Sequence, residues 1–139
     1  MAHETKVSQV MTGEVVVADL NNSIKQVQDL FVEYDMHHLP VVDDDKVIGI
    51  ISQTDLLNCY DKLLEDGKTV SLENLNSTFT VESVMTPKPV SVAPVTTLRT
   101  AADMMDEHHC HSLPVVDHGK IAGILTARDV VKYVGQEDD

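Results

Sequence analysis

The sequence predicts an α/β (α+β) protein built from two tandem β-α-β-β-α units, and three observations carry that reading. Slid against itself by 74 positions, the chain aligns Val10 to Leu57 with Val84 to Val131 without a gap. Sixteen of those 48 pairs are identical, where ordinary amino-acid usage would give about three. In each copy an apolar stripe at helical spacing is then followed by two strand-sized apolar runs.

Each copy opens on a short apolar strand, Val15 to Val17 in the first and Val90 to Val92 in the second. A helix follows. Ser23 with Gln26 has the spacing of a capping box, and Ile24, Val27, Leu30 and Phe31 recur at helical intervals. Leu98, Ala101, Ala102 and Met105 make the same stripe in the second copy. Two strands come next, Leu39 to Asp43 and Val47 to Ser52, joined through Asp43, Asp44 and Asp45; the equivalent turn contains Gly119. A closing helix starts near Thr54 and near Ala127. A unit of some 50 residues buries too little apolar surface to stand alone, so the two copies are expected to pack together.

The expected organisation is a first domain over residues 1–66 with its repeat core at 10–57, then a linker over 67–79. A second domain follows over 80–135 with its core at 84–131, then an acidic tail over 136–139. Gly67, Ser71, Asn74, Asn76 and Ser77 suit the connector, with room for a helical turn.

Ten Lys and Arg stand against 23 Asp and Glu, a formal charge of −13, which disfavours nucleic acid and anionic lipid as partners. Aromatic residues make up 4% and Trp is absent, which removes the stacking surface that single-strand binders use. The opening Met1 to Met11 lacks the apolar stretch of a signal peptide, and the apolar runs are strand-sized. A soluble cytoplasmic protein is expected. Cys59 and Cys110 have no zinc-like spacing and read as ordinary thiols of a reducing compartment.

Two recurring patterns carry possible chemistry. The first is Gly49-Ile50-Ile51-Ser52-Gln53-Thr54-Asp55, matched by Gly123-Ile124-Leu125-Thr126-Ala127-Arg128-Asp129. A hydroxyl at the end of a strand and a carboxylate three residues on, at the mouth of a helix, present two hydrogen-bonding groups to one polar ligand such as a vicinal diol. The same spacing also serves to start a helix. Gly49 and Gly123 stand where a missing side chain lets a backbone or a ligand come close.

The second pattern is His37-His38-Leu39-Pro40-Val41-Val42-Asp43, matched by His111-Ser112-Leu113-Pro114-Val115-Val116-Asp117. Imidazoles there are candidate donors to phosphate, and helix C-termini also favour them through the dipole. Arg128 is a further candidate for phosphate or for pairing with an acid. His108, His109, Cys110 and His111, with His37 and His38, raise a metal site as a rival reading. Lys46 and Lys120 read as solvated edge residues. No nucleotide P-loop, nucleophile elbow or Ser-His-Asp order is present, so no catalytic residue is assigned and the chain is not expected to be an enzyme.

The duplication, the Val-Met-Thr openings at Val10 and Val84, the Leu-Pro-Val-Val-Asp strands and the Gly-apolar-apolar-Ser/Thr-x-x-Asp endings together resemble cystathionine-β-synthase (CBS) domains. The resemblance implies two CBS repeats packed through their sheets about a pseudo-two-fold axis, with clefts that take AMP, ADP, ATP or S-adenosylmethionine. It implies Asp55 and Asp129 as ribose acceptors, with Ser52 and Thr126 as their polar companions. It implies His37, His38, His111 and Arg128 as phosphate contacts, and Val15, Val16, Ile51, Pro89, Val90 and Leu125 as adenine-facing walls. Ser112, where the first repeat has His38, departs from the pattern, so the two clefts are expected to differ. A homodimer, a separate effector protein and no required cofactor are further implications. A structural dimerisation or partner-docking module without ligand is the alternative reading, and histidine-mediated metal binding is the second.

Overall fold

The computed structural model describes residues 4–137. Its strands are β1 (Ala18–Asp19), β2 (His38–Asp43), β3 (Lys46–Ser52), β4 (Thr86–Pro87), β5 (Ser112–Asp117) and β6 (Lys120–Thr126). The helices are α1 (Ile24–Tyr34), α2 (Gln53–Glu65), α3 (Leu72–Thr78), α4 (Val81–Val84), α5 (Leu98–Glu107) and α6 (Ala127–Glu137). The chain divides into two compact units, the first made of residues 16–44 and 48–88 and the second of residues 4–15, 45–47 and 89–137.

In the first unit Ser23 caps α1: its hydroxyl accepts from Gln26 N–H at 3.1 Å, and the Gln26 amide oxygen accepts from Ser23 N–H at 2.9 Å. The stripe predicted from spacing faces inward, with Ile24, Val27 and Phe31 buried. They meet Leu39, Val41 and Ile51 from the strands and Leu56, Cys59 and Leu63 from α2 in one core. The helix stops at Asp35, which takes the left-handed conformation at φ 49°, a geometry that polar residues tolerate better than branched ones. Asp44 and Asp45 make the hairpin turn with φ of 52° and 72°, which suits the twist of the flanking strands.

The opening strand lies later than its valines suggested. Val15 to Val17 are not in a strand; β1 is Ala18–Asp19, running parallel to β2 with Ala18 opposite Val41. In the second unit only Val92 of the equivalent trio forms a bridge, to Val115. Strand propensity marked the neighbourhood, and the partner strand chose the residues.

The connector holds more structure than a turn. Ser71 caps α3, accepting from Asn74 N–H at 3.1 Å, and Leu75 is buried in the first core. Thr80 caps α4 in the same way, and Val81 joins that core. Thr86 and Pro87 then pair antiparallel with Ile50 and Gly49 of β3.

The second unit repeats this plan with a different opening segment. β5 and β6 form an antiparallel hairpin with an irregularity between Val115 and Val116. Leu98, Ala101 and Met105 of α5 pack on Leu113, Val115 and Leu125. Val7, fully buried, belongs to this core, with Val10 and Met11 against it. Val7 N–H donates to Thr96 C=O at 2.8 Å, and Thr12 exchanges two backbone bonds with Ile124. Each compact unit therefore draws its Val-Met-Thr opening from the other repeat.

Candidate functional site

The two Gly-apolar-apolar-Ser/Thr-x-x-Asp segments take the same local geometry. β3 ends at Ser52, which caps α2: its hydroxyl accepts from Asp55 N–H at 3.1 Å, and Asp55 Oδ2 accepts from Ser52 N–H at 2.8 Å. β6 ends at Thr126, where the matching bonds to Asp129 are 3.1 and 2.9 Å. These are complete capping boxes, each such cap contributing about 0.5–2 kcal/mol. In each carboxylate Oδ2 is committed to the cap, while Oδ1 accepts no hydrogen bond among the described residues. Both aspartates are half-buried, so a free acceptor stands at the surface with its direction set by the helix start.

The histidine strand returns to the same helix start in each unit. His37 C=O accepts from Gln53 N–H at 3.1 Å, and His111 C=O accepts from Ala127 N–H at 2.8 Å. The backbone thus anchors both histidines beside the first turn of α2 and of α6. His37, His111 and Arg128 have exposed side chains, His38 is half-buried, and Ser112 is buried at 5% exposure.

Of the six expected adenine-facing residues, Val15, Val16, Pro89 and Val90 are half-buried and offer some surface. Ile51 and Leu125 are fully buried in the two cores. Strand alternation directs those two inward, because residues on either side of them point the opposite way.

Gly49 and Gly123 are explained by protein contacts. A Cβ on Gly49 would meet the Met85 thioether and lie 3.0 Å from Thr86 O; on Gly123 it would meet the Met11 thioether and lie 2.9 Å from Thr12 O. The Met-Thr of one repeat's opening lies over the glycine of the other repeat's motif.

Two surface pockets flank these elements. In the first unit a pocket of about 200 Å³ is lined by Asp55, Asn58, Cys59, Phe79, Ser83 and Val84. In the second unit a pocket of about 470 Å³ is lined by Met105, Asp106, His109, Cys110, His111 and Ala127. Asp55 lines the first pocket, and Asp129 does not line the second. The neighbours of Asp55 escaped sequence reading. Asn58 and Cys59 follow from helical spacing, but Phe79 arrives from the connector and Ser83 and Val84 from the following repeat. Among the described residues no group of three or more His, Cys, Asp or Glu side chains is arranged to hold a metal ion.

Burial, reinforced by the nearby Asp55 carboxylate, pushes the Cys59 thiol up from 9.0 to about 11; burial pushes Cys110 up as well. Below pH 9.0 the Cys59 thiol is protonated in folded and unfolded chains alike. Between pH 9.0 and about 11 the unfolded chain releases that proton while the folded chain retains it, so stability falls by about 2–3 kcal/mol across this window. Urea denaturation of wild type and Cys59→Ala, below pH 9.0 and near pH 11, is expected to give a smaller alkaline loss in the variant. An equal loss in both would remove the thiol as its source.

Two mixed α/β units with the same strand-end motif define a duplicated domain pair. The CBS domain family matches twice, at residues 7–62 and 81–136, and the chain belongs to that family. Its structure is similar to CBSX2 in complex with AMP, at 32% identity and a TM-score of 0.81, covering 97% of this chain and 99% of that one; CBSX2 from Arabidopsis thaliana is matched a second time at 31% identity and a TM-score of 0.79, covering 96% of each chain. It is also similar to the CBS domain pair of protein MJ0100 in complex with 5′-methylthioadenosine and S-adenosyl-L-methionine, at 26% identity and a TM-score of 0.76, covering 94% of this chain and 100% of that one. An inosine-5′-monophosphate dehydrogenase of Halalkalibacterium halodurans is 29% identical over 82% of this chain and 21% of its own length. The chain spans between 21% and 46% of the length of such curated relatives. Among the described residues no helix is long and apolar enough to cross a membrane.

Proposed function

We propose that this chain is a regulatory module that binds an adenosine ligand and carries out no catalysis of its own. The observation that carries the reading is the pair of capped aspartates, Asp55 and Asp129, each with one carboxylate oxygen that accepts no hydrogen bond among the described residues, beside a helix start. A carboxylate so oriented suits the two hydroxyls of a ribose, because charge-assisted hydrogen bonds to a diol need a fixed acceptor. The AMP complex of CBSX2 and the S-adenosylmethionine complex of MJ0100 support the ligand class. Asp55 and Asp129, with Ser52 and Thr126, are the candidates for the ribose; His37, His38, His111 and Arg128 are those for phosphate. Val15, Val16, Pro89 and Val90 are the candidates for the base.

The module acts as a homodimer on a separate effector, and regulation requires the ligand to favour one arrangement of the protein over another, since equal affinity for both shifts nothing. The capping boxes also favour a second reading, because both motifs already have a structural use in a docking module without ligand.

Isothermal titration of nucleotide-free protein with AMP, ADP, ATP and S-adenosylmethionine separates the two. Saturable binding of at least one is expected, and Asp55→Asn/Asp129→Asn is expected to weaken it by about 1.5–3 kcal/mol, roughly 10- to 150-fold. Asparagine retains an oxygen for the cap, so the helix starts persist. Absence of binding by folded wild-type protein would leave the docking module.

A further inference from the structure

We infer that the second unit carries a further ligand site, in the pocket between the end of α5 and the start of α6, and that it takes a small flat molecule bearing a primary amide or a ring amino group. The pocket, at about 470 Å³, falls in the range of about 300–1,000 Å³ that small-molecule sites occupy. Met105 is buried and forms its floor. Cys110 and Ala127, half-buried, form its walls, and Asp106, His109 and His111 stand exposed at its rim. The site adjoins the helix start that carries Thr126 and Asp129 but does not use their side chains.

The first repeat supplies the chemistry of the ligand. The offset of 74 sets Gln53 against Ala127 and Met36 against Cys110. Gln53 turns back on its own repeat, and its carboxamide Nε2 donates to Met36 C=O at 2.7 Å. The backbone around the two places is alike. Asp35 and His109, each preceding the residue whose carbonyl is in question, take the left-handed conformation at φ 49° and 53°. Gln53 N–H donates to His37 C=O and Ala127 N–H to His111 C=O, at 3.1 and 2.8 Å. The side chain at the helix start is what differs. Ala127 has only a methyl group, so it cannot make the Gln53 bond, and Cys110 C=O accepts no hydrogen bond among the described residues. A ligand standing where the Gln53 carboxamide stands in the first repeat presents that carbonyl with the same planar N–H donor. Burial pushes the Cys110 thiol up, which keeps it an uncharged wall; with the Met105 thioether and the Ala127 methyl it suits the face and edge of a ring. The Asp106 carboxylate at the rim favours a further N–H donor and opposes an anion.

Amide NMR of the isotope-labelled full chain tests this with benzamide and aniline as probes. Acetophenone, in which a methyl group replaces the amide nitrogen of benzamide, is the control. At least one probe is expected to shift the signals of His109, Cys110, His111 and Ala127 saturably, with a dissociation constant on the order of 1 mM. Binding of benzamide alone assigns an amide to the ligand, and binding of aniline alone assigns a ring amine. Acetophenone is expected to bind about 3- to 10-fold more weakly than the better probe, for want of the hydrogen bond to Cys110 C=O. Ala127→Gln supplies the side chain that the first repeat already accommodates, and it is expected to weaken probe binding by at least about tenfold with the spectrum otherwise that of the folded protein. Absence of shifts at these four residues with both probes would overturn the assignment. So would acetophenone binding as tightly as the better probe, or undiminished probe binding by folded Ala127→Gln. If that variant does not fold, the comparison with acetophenone decides.

Discussion

Removing residues 1–12 is expected to strip hydrogen-exchange protection from β5 and β6, more than a hundred residues away along the chain. Val7 is fully buried in the second core, and burying a valine contributes roughly 1.5–3 kcal/mol. Five backbone hydrogen bonds go with it: Val7 to Thr96, Ser8 to Pro94, Leu98 to Thr5 and the reciprocal pair between Thr12 and Ile124, at 2.7–3.1 Å. At about 0.5–1.5 kcal/mol each, the segment contributes roughly 4–10 kcal/mol, comparable with the whole stability of a typical domain at about 5–15 kcal/mol. Exchange measured by mass spectrometry on the truncated and full chains checks this, with attention to peptides covering Ser112–Asp117 and Lys120–Thr126. Unchanged protection there would mean that the opening segment is dispensable to the second unit.

Gly49→Val and Gly123→Val are each expected to destabilise the protein by about 3 kcal/mol or more. The added Cβ meets a methionine thioether that has some freedom to move, but it also lies 3.0 Å from the Thr86 carbonyl oxygen or 2.9 Å from that of Thr12. Those oxygens belong to paired backbone, Thr86 opposite Ile50 and Thr12 opposite Ile124, so yielding to a branched side chain disturbs the pairing as well. Chemical denaturation of the two variants reads the loss directly. Shortening Met85 in the Gly49 variant, or Met11 in the Gly123 variant, is expected to recover only part of it, because the carbonyl stays where it is. Full recovery would show that the thioether alone opposes a side chain at the glycine.

These expectations separate what is local in the chain from what is not. The duplication, the inward faces of α1 and α5, the hairpins at Asp44 and Gly119 and the starts of α2 and α6 were legible from spacing alone. Helical periodicity, capping and turn chemistry act over a few residues and leave their mark in the sequence. The first strand departs from its local signal because three consecutive valines carry strand propensity without saying which of them meets a partner, and β1 lies where Ala18 and Asp19 reach Val41 and Val42.

The sequence by itself determined that two copies of one unit exist, where α1 begins, roughly where α2 and α6 begin and which carboxylate stands at the start of each of those two. Only the tertiary structure decided that Met85 and Thr86 cover Gly49 while Met11 and Thr12 cover Gly123. It alone decided that Phe79, Ser83 and Val84 stand beside Asp55, while Tyr133 reaches Thr5 in the other unit. The physical reason is chain path. A capping bond spans three residues and is written in their spacing, whereas the sequence separation of 128 between Thr5 and Tyr133 is closed by the packing of many side chains at once, which no local pattern records.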